Sequence, residues 1–199
     1  MQVLKITEKN FKEIIKITLK FIKNGKVVIF PTDTVYGLVC DVTNKKAVRK
    51  LFKIKNRPIK KPVPIFVKDI KTAKKLAIVN KEQEKLLKKY WPGKTTVVFK
   101  KTRLRAVFTN ASARQGNTIA IRIPKYKPLN ILLNKLNFPL AQTSVNFSGK
   151  SPIANAGEAL KLFNRRKNKP DLIIDGGKLK NKSSKIIDLT VNPSKILRP

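Results

Sequence analysis

The stretch Val27-Val-Ile-Phe-Pro-Thr-Asp-Thr-Val-Tyr-Gly-Leu38 decides the fold of this 199-residue chain. Its first four residues are apolar and mostly β-branched, and they predict a buried strand that ends at Pro31, because proline cannot donate to a sheet ladder. Side chains with hydroxyl or carboxylate groups follow at once: Thr32, Asp33, Thr34 and Tyr36. Open α/β sheets bind ligands beyond the ends of buried strands, whereas an aspartate in a turn caps backbone N–H groups. The stretch therefore predicts either a ligand site or a turn capped by Asp33.

A basic loop follows further along the chain. Asn44 predicts the N-cap of a helix that runs to about Ile54. The helix leads into a proline-bounded loop with four cations: Lys55, Arg57, Lys60 and Lys61. The apolar run from Val63 to Val67 then returns the chain to the sheet. Forked arginine donors and lysine charges suit a polyphosphate, and the alternative is a solvated basic face.

The composition excludes several classes of chemistry. The chain contains no histidine, which rules out Ser-His-Asp triads, Cys-His dyads, histidine zinc sites and imidazole bases. The single cysteine, Cys40, excludes an internal disulfide and suits a reducing cytoplasm, and its apolar neighbours predict a position in the core. No apolar run reaches the length of a membrane span, so we expect no membrane partner. At this length, one domain over residues 1–199 is the simplest organisation.

The formal net charge of +35 has two explanations. One is affinity for nucleic acid through phosphate neutralisation. The other is compositional drift toward lysine, asparagine and isoleucine. The lysines are spread along the whole chain, which favours drift, with a weak attraction of tRNA as its consequence.

Helix and strand patterns alternate along the chain, which predicts an α/β domain with an open, twisted, mixed sheet flanked by helices. Helices are predicted from Thr7 to Asn24, Asn44 to Ile54, Asp69 to Ala77, Asn80 to Tyr90, Pro128 to Asn137 and Gly157 to Arg166. Strands are predicted at 27–30, 63–67, 95–99, 118–123, 139–144, 171–175, 186–190 and 196–197.

Two segments outside the first motif carry polar groups suited to a ligand. The segment 102–117 is polar and predicts a mobile loop, whose arginines could close on phosphate or remain solvated: Arg103, Arg105 and Arg114, followed by Gly116. The second segment is a turn of small residues after a strand: Ser144, Asn146, Ser148 and Gly149. Such a turn can direct hydroxyl and backbone N–H groups at a phosphate.

Arg122 lies near the end of an otherwise apolar strand. A buried arginine is costly unless it is paired. The sequence allows two interpretations: a structural ion pair, or a clamp for the carboxylate of a substrate.

Six segments together resemble the signature of the YrdC/Sua5/TsaC family, in that family's order and over nearly the whole chain. They are Pro31-Thr-Asp-Thr-Val-Tyr-Gly-Leu38, Lys55-Asn-Arg-Pro58, Trp91-Pro-Gly93, Ile119-Ala-Ile-Arg-Ile-Pro124, Ser144-Val-Asn-Phe-Ser-Gly149 and Ser184-Lys-Ile-Ile-Asp188. Three residues depart from the family's usual sequence, namely Lys94, Val145 and Lys185, and the last stands where the family has a second hydroxyl. The chain ends in Leu197-Arg198-Pro199, without the family's final glycine.

The resemblance implies a single YrdC-like domain with a basic cavity and a specific activity. The family makes L-threonylcarbamoyladenylate and pyrophosphate from L-threonine, bicarbonate or CO2, and ATP. This is the first step of the t6A (threonylcarbamoyl) modification of adenosine 37 in tRNAs that read ANN codons. The resemblance also implies no second, C-terminal domain here, so we expect a separate threonylcarbamoyl transferase complex downstream.

The resemblance assigns the site residues as follows. Lys55 and Arg57 are expected to be catalytic. The expected ATP ligands are Arg57, Lys61, Thr118, Ser144, Asn146 and Arg198. The expected threonine ligands are Thr32, Thr34, Arg122 and Ser184. No protein metal site is expected, and Mg2+ would arrive with ATP. Two alternatives remain open: a noncatalytic RNA-binding module of the same fold, and a paralogue that adenylates another carbamoyl group.

Overall fold

One mixed sheet runs through the described part of the protein, which in the computed structural model comprises residues 1–58, 61, 63–102, 117–147 and 151–199. The strands are β1 (Gln2–Lys5), β2 (Val28–Phe30), β3 (Gly37–Asp41), β4 (Ile65–Phe66), β5 (Thr95–Lys100), β6 (Thr118–Arg122), β7 (Leu140–Ser144), β8 (Leu172–Asp175), β9 (Lys185–Asp188) and β10 (Lys195–Arg198). The helices are α1 (Phe11–Lys23), α2 (Lys45–Lys55), α3 (Ile70–Leu76), α4 (Lys81–Tyr90), α5 (Lys127–Lys135) and α6 (Ala156–Phe163).

The strand order confirms the mixed sheet. Within the described residues it is β1-β8-β2-β3-β7-β4-β6-β5-β9-β10. Strands β2, β3, β7 and β4 pair antiparallel in succession, while β4 pairs parallel with β6 and β5 pairs parallel with β9. In the β5–β6 pair, Val98 lies opposite Ala120. Strand β7 therefore lies between β3 and β4, both of which are far from it in sequence.

The sheet separates two hydrophobic clusters because successive side chains of a strand point to opposite faces. In the first strand of the opening motif, Ile29 belongs to one cluster, whereas Val28 and Phe30 belong to the other. Helices α2, α3, α4 and α6 contribute to the cluster of Ile29, and α1 and α5 contribute to the cluster of Phe30. Helices therefore cover both faces, as the alternating pattern predicts.

The helix start signals are confirmed at α2 and α4. The Asn44 side chain accepts hydrogen bonds from the backbone N–H groups of Lys46 and Ala47. Asn80 and Gln83 form a reciprocal capping box. The prediction that Thr7 begins a helix is wrong: α1 begins at Phe11 with Asn10 as its N-cap.

The residues ahead of α1 explain that error. Thr7 and Asn10 bond to each other through the backbone N–H of one and the side-chain oxygen of the other, in both directions. Their polar groups close a turn before the helix.

No helix in the described ranges is both long and apolar enough to cross a membrane.

Several expectations fall outside the described residues. They concern the basic loop at Lys60, the small-residue turn at Ser148 and Gly149, and the loop arginines Arg103, Arg105 and Arg114 with Gly116.

The core prediction for Cys40 is confirmed, because its side chain is fully buried. This burial raises the pKa of its thiol.

Candidate active site

A cavity of about 350 Å³ lies over one face of the sheet, beside the first motif, the end of α2 and β7. Its polar lining includes Thr34, Lys55, Arg57, Thr96, Arg122, Gln142, Thr143, Ser144, Asn146, Ser183, Ser184 and Arg198. Its apolar lining is Val35, Pro64, Val98, Ala120, Ile186 and Leu197. The cavity thus gathers groups from the opening motif and from five of the strands.

Period-2 alternation in the strands explains which side chains reach the cavity. Strand β5 contributes Thr96 and Val98, and β6 contributes Ala120 and Arg122. The floor is therefore one face of the sheet, and the same alternation sends the intervening residues into the core beneath it.

Lys55, at the last position of α2, ties that helix to the turn after β7. The residue is only 3% exposed. Its Nζ donates to the Ser144 carbonyl oxygen at 2.7 Å, to the Ser144 hydroxyl at 3.3 Å and to Oδ1 of Asn146. The Ser144 hydroxyl itself donates to Asn146 Oδ1 at 2.7 Å. Burial, together with the nearby charge of Arg57, lowers the pKa of Lys55 to about 8.

Arg122 is fixed from three directions. Its Nε donates to the Gly93 carbonyl oxygen at 2.9 Å and its Nη1 donates to Thr34 Oγ1 at 3.0 Å. Its Nη2 lies 2.5 Å from Asp33 Oδ1, so the two side chains form a buried ion pair. The other Asp33 oxygen accepts the backbone N–H of Lys125. The structural ion pair considered from the sequence is present, and Arg122 also lines the cavity.

The motif threonines form one hydrogen-bonded turn. Thr32 Oγ1 accepts the Thr34 backbone N–H and donates to the Val35 carbonyl oxygen at 2.7 Å. The two threonine hydroxyls are 3.0 Å apart. Thr34 lines the cavity. Thr32 is buried, does not line the cavity, and stabilises the turn through these hydrogen bonds.

Ser184 and Arg198 close the opposite wall. Arg198 donates from Nε to the Ser184 carbonyl oxygen at 2.8 Å and from Nη2 to the Ser184 hydroxyl at 3.1 Å. The Ser184 hydroxyl also lies 2.9 Å from Thr96 Oγ1. Burial lowers the pKa values of Arg57, Arg122 and Arg198, which reflects the shared desolvation of these guanidinium groups.

Of the residues expected from the sequence, eight line the cavity and three do not. The eight are Thr34, Lys55, Arg57, Arg122, Ser144, Asn146, Ser184 and Arg198. Thr118 is the first residue of β6 and does not line the cavity. Lys61 is exposed, and its carbonyl oxygen accepts a hydrogen bond from Arg57 Nε at 3.0 Å. The third is Thr32, described above.

Sequence reasoning missed other lining groups, notably Thr96, Gln142 and Thr143. Thr96 and Gln142 sit on strands that were predicted, at positions with the same parity as other cavity residues. Assigning the inner face of each strand would have found them. Among the described residues, no group of three or more His, Cys, Asp or Glu side chains could hold a metal ion.

Comparison with known proteins gives consistent matches. A family model described as "Telomere recombination", covering Sua5, YciO and YrdC proteins, matches residues 20–199. A "Threonylcarbamoyl-AMP synthase" of Pyrococcus abyssi is 35% identical over 187 residues, which cover 93% of this chain and 53% of that protein. The chain thus spans about half the length of this relative. A protein of Methanocaldococcus jannaschii is 36% identical over 191 residues, covering 95% of this chain and 86% of its own length.

A solved structure extends the likeness to three dimensions. The "Crystal structure of P. abyssi Sua5 complexed with L-threonine" superposes with a TM-score of 0.84 at 33% identity. The match covers 100% of this chain and 56% of that one.

Proposed function

Because the chain belongs to the Sua5/YciO/YrdC family, we propose that it is an L-threonylcarbamoyladenylate synthase. Its substrates are L-threonine, bicarbonate or CO2, and ATP, and its products are threonylcarbamoyl-AMP and pyrophosphate. The observation that carries the proposal is the cavity, which brings Lys55, Arg57, Arg122 and Arg198 together with hydroxyl groups. No acidic residue is present among the described residues of its lining.

The reaction has two steps. The threonine amine attacks the carbon of CO2 and loses a proton, which gives a carbamate. A carbamate oxygen then attacks the α-phosphorus of ATP, the bond from this phosphorus to the bridging oxygen breaks, and pyrophosphate leaves. Carbamate, threonine carboxylate and triphosphate are all anions, so they repel one another until cations neutralise them.

Catalysis therefore consists mainly of positioning and charge stabilisation. This agrees with the absence of histidine from the sequence, because the scheme needs no protein nucleophile. Mg2+ would bind as a counter-ion of the ATP phosphates. The protein supplies the remaining positive charge through lysine and arginine.

The expected ligands divide into two proposed subsites, although Lys61, Thr118 and Thr32 lie outside the lining of the cavity. Lys55, Arg57 and Lys61 would neutralise the phosphates. The nucleotide side would be lined by Thr118, Ser144, Asn146 and Arg198. The threonine side would be formed by Thr32, Thr34, Arg122 and Ser184.

The Arg122 contacts fit a role in holding the threonine carboxylate. The ion pair with Asp33 and the bond to Gly93 fix the guanidinium plane, and each Nη nitrogen still carries a second hydrogen. A planar donor that is already fixed binds a carboxylate with little further loss of freedom.

The product is a mixed anhydride, which hydrolyses in water. The threonylcarbamoyl group must therefore be transferred promptly to adenosine 37 of tRNA, and we infer that a second enzyme does this. We propose a threonylcarbamoyl transferase complex as that downstream partner, and the cytoplasm as the compartment in which both act.

Pyrophosphate release tests this function. The protein is incubated with ATP and bicarbonate, and L-threonine is compared with L-serine and L-valine. We expect the highest rate with threonine and a loss of rate when bicarbonate is removed. Equal rates with all three amino acids would overturn the substrate assignment, and release that does not require an amino acid would overturn the reaction.

A further inference from the structure

A second concavity lies away from the cavity, on the outer side of α2. It measures about 580 Å³ and is formed by α2 and the segment that follows α6. We call its cationic lining the α2 basic face; it consists of Lys46, Arg49, Lys50, Lys53, Lys167 and Lys169. None of these six residues has a role in the proposed reaction.

The helix presents four of these cations as one stripe. Lys46, Arg49, Lys50 and Lys53 stand at positions i, i+3, i+4 and i+7, which share one side of an α-helix. Seven residues of helix rise about 10 Å. Lys46, Arg49 and Lys53 are exposed, whereas the opposite side of α2 is packed in the core through Val48 and Leu51.

Few acidic residues line this concavity. Among the described residues its lining includes one carboxylate, Asp171, and that carboxylate already has partners within the protein. One of its oxygens lies 2.6 Å from Lys50 Nζ, and the other accepts the Val27 backbone N–H at 2.8 Å. Lys50 thus serves the fold, and Asp171 is the one acidic residue among the described residues that line this concavity with Lys46, Arg49 and Lys53.

The α2 basic face continues toward the cavity of the candidate active site. An adjoining hollow of about 460 Å³ is lined by Lys53, Asn56, Phe147, Arg166 and Lys167, among others. The Arg166 guanidinium lies over the Phe147 ring, 4.8 Å from its centroid. Phe147 directly follows Asn146 of the cavity, so positive charge extends along α2 to the cavity at Lys55 and Arg57.

We propose that the α2 basic face binds the phosphate backbone of an RNA, with tRNA as the physiological ligand. A row of exposed cations, beside which the one carboxylate is already paired, attracts a polyanion through phosphate neutralisation and carries little sequence specificity. The choice of RNA among polyanions rests on the proposed function, because its product is consumed at tRNA.

The chemistry of this surface does not suit a membrane. Membrane-surface binding needs large apolar side chains beside the cations. The exposed large hydrophobic residues among those described are Val3, Ile78, Leu160, Val191, Ile196 and Leu197, and none of them lines either hollow.

The experiment compares two variants with equal loss of charge. The first is K46Q/R49Q/K53Q/K167Q, which removes four exposed cations of the α2 basic face. The matched control is K12Q/K16Q/K20Q/K23Q, which removes four exposed lysines from α1, on the other side of the sheet. Binding of a fluorescent tRNA transcript is measured by anisotropy over a range of salt concentrations, without ATP.

We expect the first variant to bind tRNA at least tenfold more weakly at about 0.1 M salt, and its salt slope to fall by about three. The control should weaken binding less than threefold. Equal weakening by both variants would overturn the proposal, because net charge alone would then explain binding. Failure of the unmodified protein to bind tRNA, or equally tight binding of anionic lipid vesicles, would also overturn it.

Pyrophosphate release separates this proposal from the proposed function. The first variant should retain the wild-type rate with threonine. Wild-type tRNA binding in a protein that releases no pyrophosphate would contradict the proposed function and leave the RNA surface intact.

Discussion

Asp33 and Arg122 form an ion pair in which both side chains are buried, with 2.5 Å between Oδ1 and Nη2. Asp33 follows β2 and Arg122 ends β6, and three strands stand between β2 and β6 in the sheet. The pair therefore joins the opening motif to a distant strand and fixes an arginine that lines the cavity.

Asp33→Asn should destabilise the protein strongly. It leaves the buried Arg122 charge uncompensated, which typically costs about 3–5 kcal/mol of unfolding free energy. Denaturant unfolding followed by circular dichroism measures this value. Glu84→Gln, which breaks the more exposed pair with Lys74, is the control and should change stability far less. Equal effects of the two substitutions would contradict the role given to burial.

Lys55 should titrate near pH 8. Burial and the charge of Arg57 lower its pKa to about 8, below the value of 10.5 that the side chain has in an unfolded chain. The folded protein thus binds fewer protons between these two pH values, so the contribution of Lys55 to stability should rise from pH 8 to 10.5. Above pH 8 the lysine also loses its charge, so the KM for ATP should increase.

The ¹³Cε resonance of Lys55 in protein with labelled lysines measures this titration directly. Lys55→Arg removes the resonance and so assigns it. A midpoint above pH 10 would show that the lysine is not desolvated as the structure indicates.

Arg57→Ala should reduce pyrophosphate release by at least tenfold, because a charge-assisted phosphate contact in a desolvated cavity is lost. Arg49→Ala is the control, because it removes an exposed arginine of α2 that does not line the cavity, and it should change the rate less than twofold. Steady-state kinetics with ATP as the varied substrate compares the two variants. Similar losses would show that Arg57 acts through net charge and not through a contact in the cavity.

Gly176→Ala should destabilise the protein by about 1–3 kcal/mol through overpacking. A Cβ atom at this position would lie 2.8 and 2.9 Å from the Pro31 ring carbons, closer than packed atoms approach. Thermal unfolding checks this expectation. The double variant Gly176→Ala/Pro31→Gly removes both contacted carbons, Cβ and Cγ, so its loss should be smaller than the sum of the two single losses. Additive losses would exclude the contact as the cause.

The sequence predicts the local elements of this fold well, because their signals are local. Asn44, Asn80 with Gln83, and Asp69 cap the helices whose starts they predicted. Strand β1 was missed because it is a short edge strand that forms only by pairing with β8. Strand β3 was missed because the chain after Pro31 was interpreted as a turn.

The candidate site was predictable only as a set of residues. The six segments contain seven of the eight expected side chains that line the cavity, and the C-terminal Leu197-Arg198-Pro199 match adds Arg198, but the resemblance could not give their partners. Whether Arg122 pairs with a protein carboxylate depends on its distance from Asp33, and residues 89 positions apart carry no sign of that distance. The same holds for Thr96, whose hydroxyl lies next to Ser184, 88 positions away.

The position of β10 at the end of the sheet has a consequence for the local stability of the cavity wall. This strand lies at the end of the sheet, pairs with β9 among the described strands, and has four exposed residues. Its pairing register shifts between Ile196 and Arg198. Segments with few buried contacts open by local unfolding and exchange their amide hydrogens faster than core strands. A ligand that contacts Arg198 would slow that exchange, and part of its binding free energy would go into ordering the edge of the sheet.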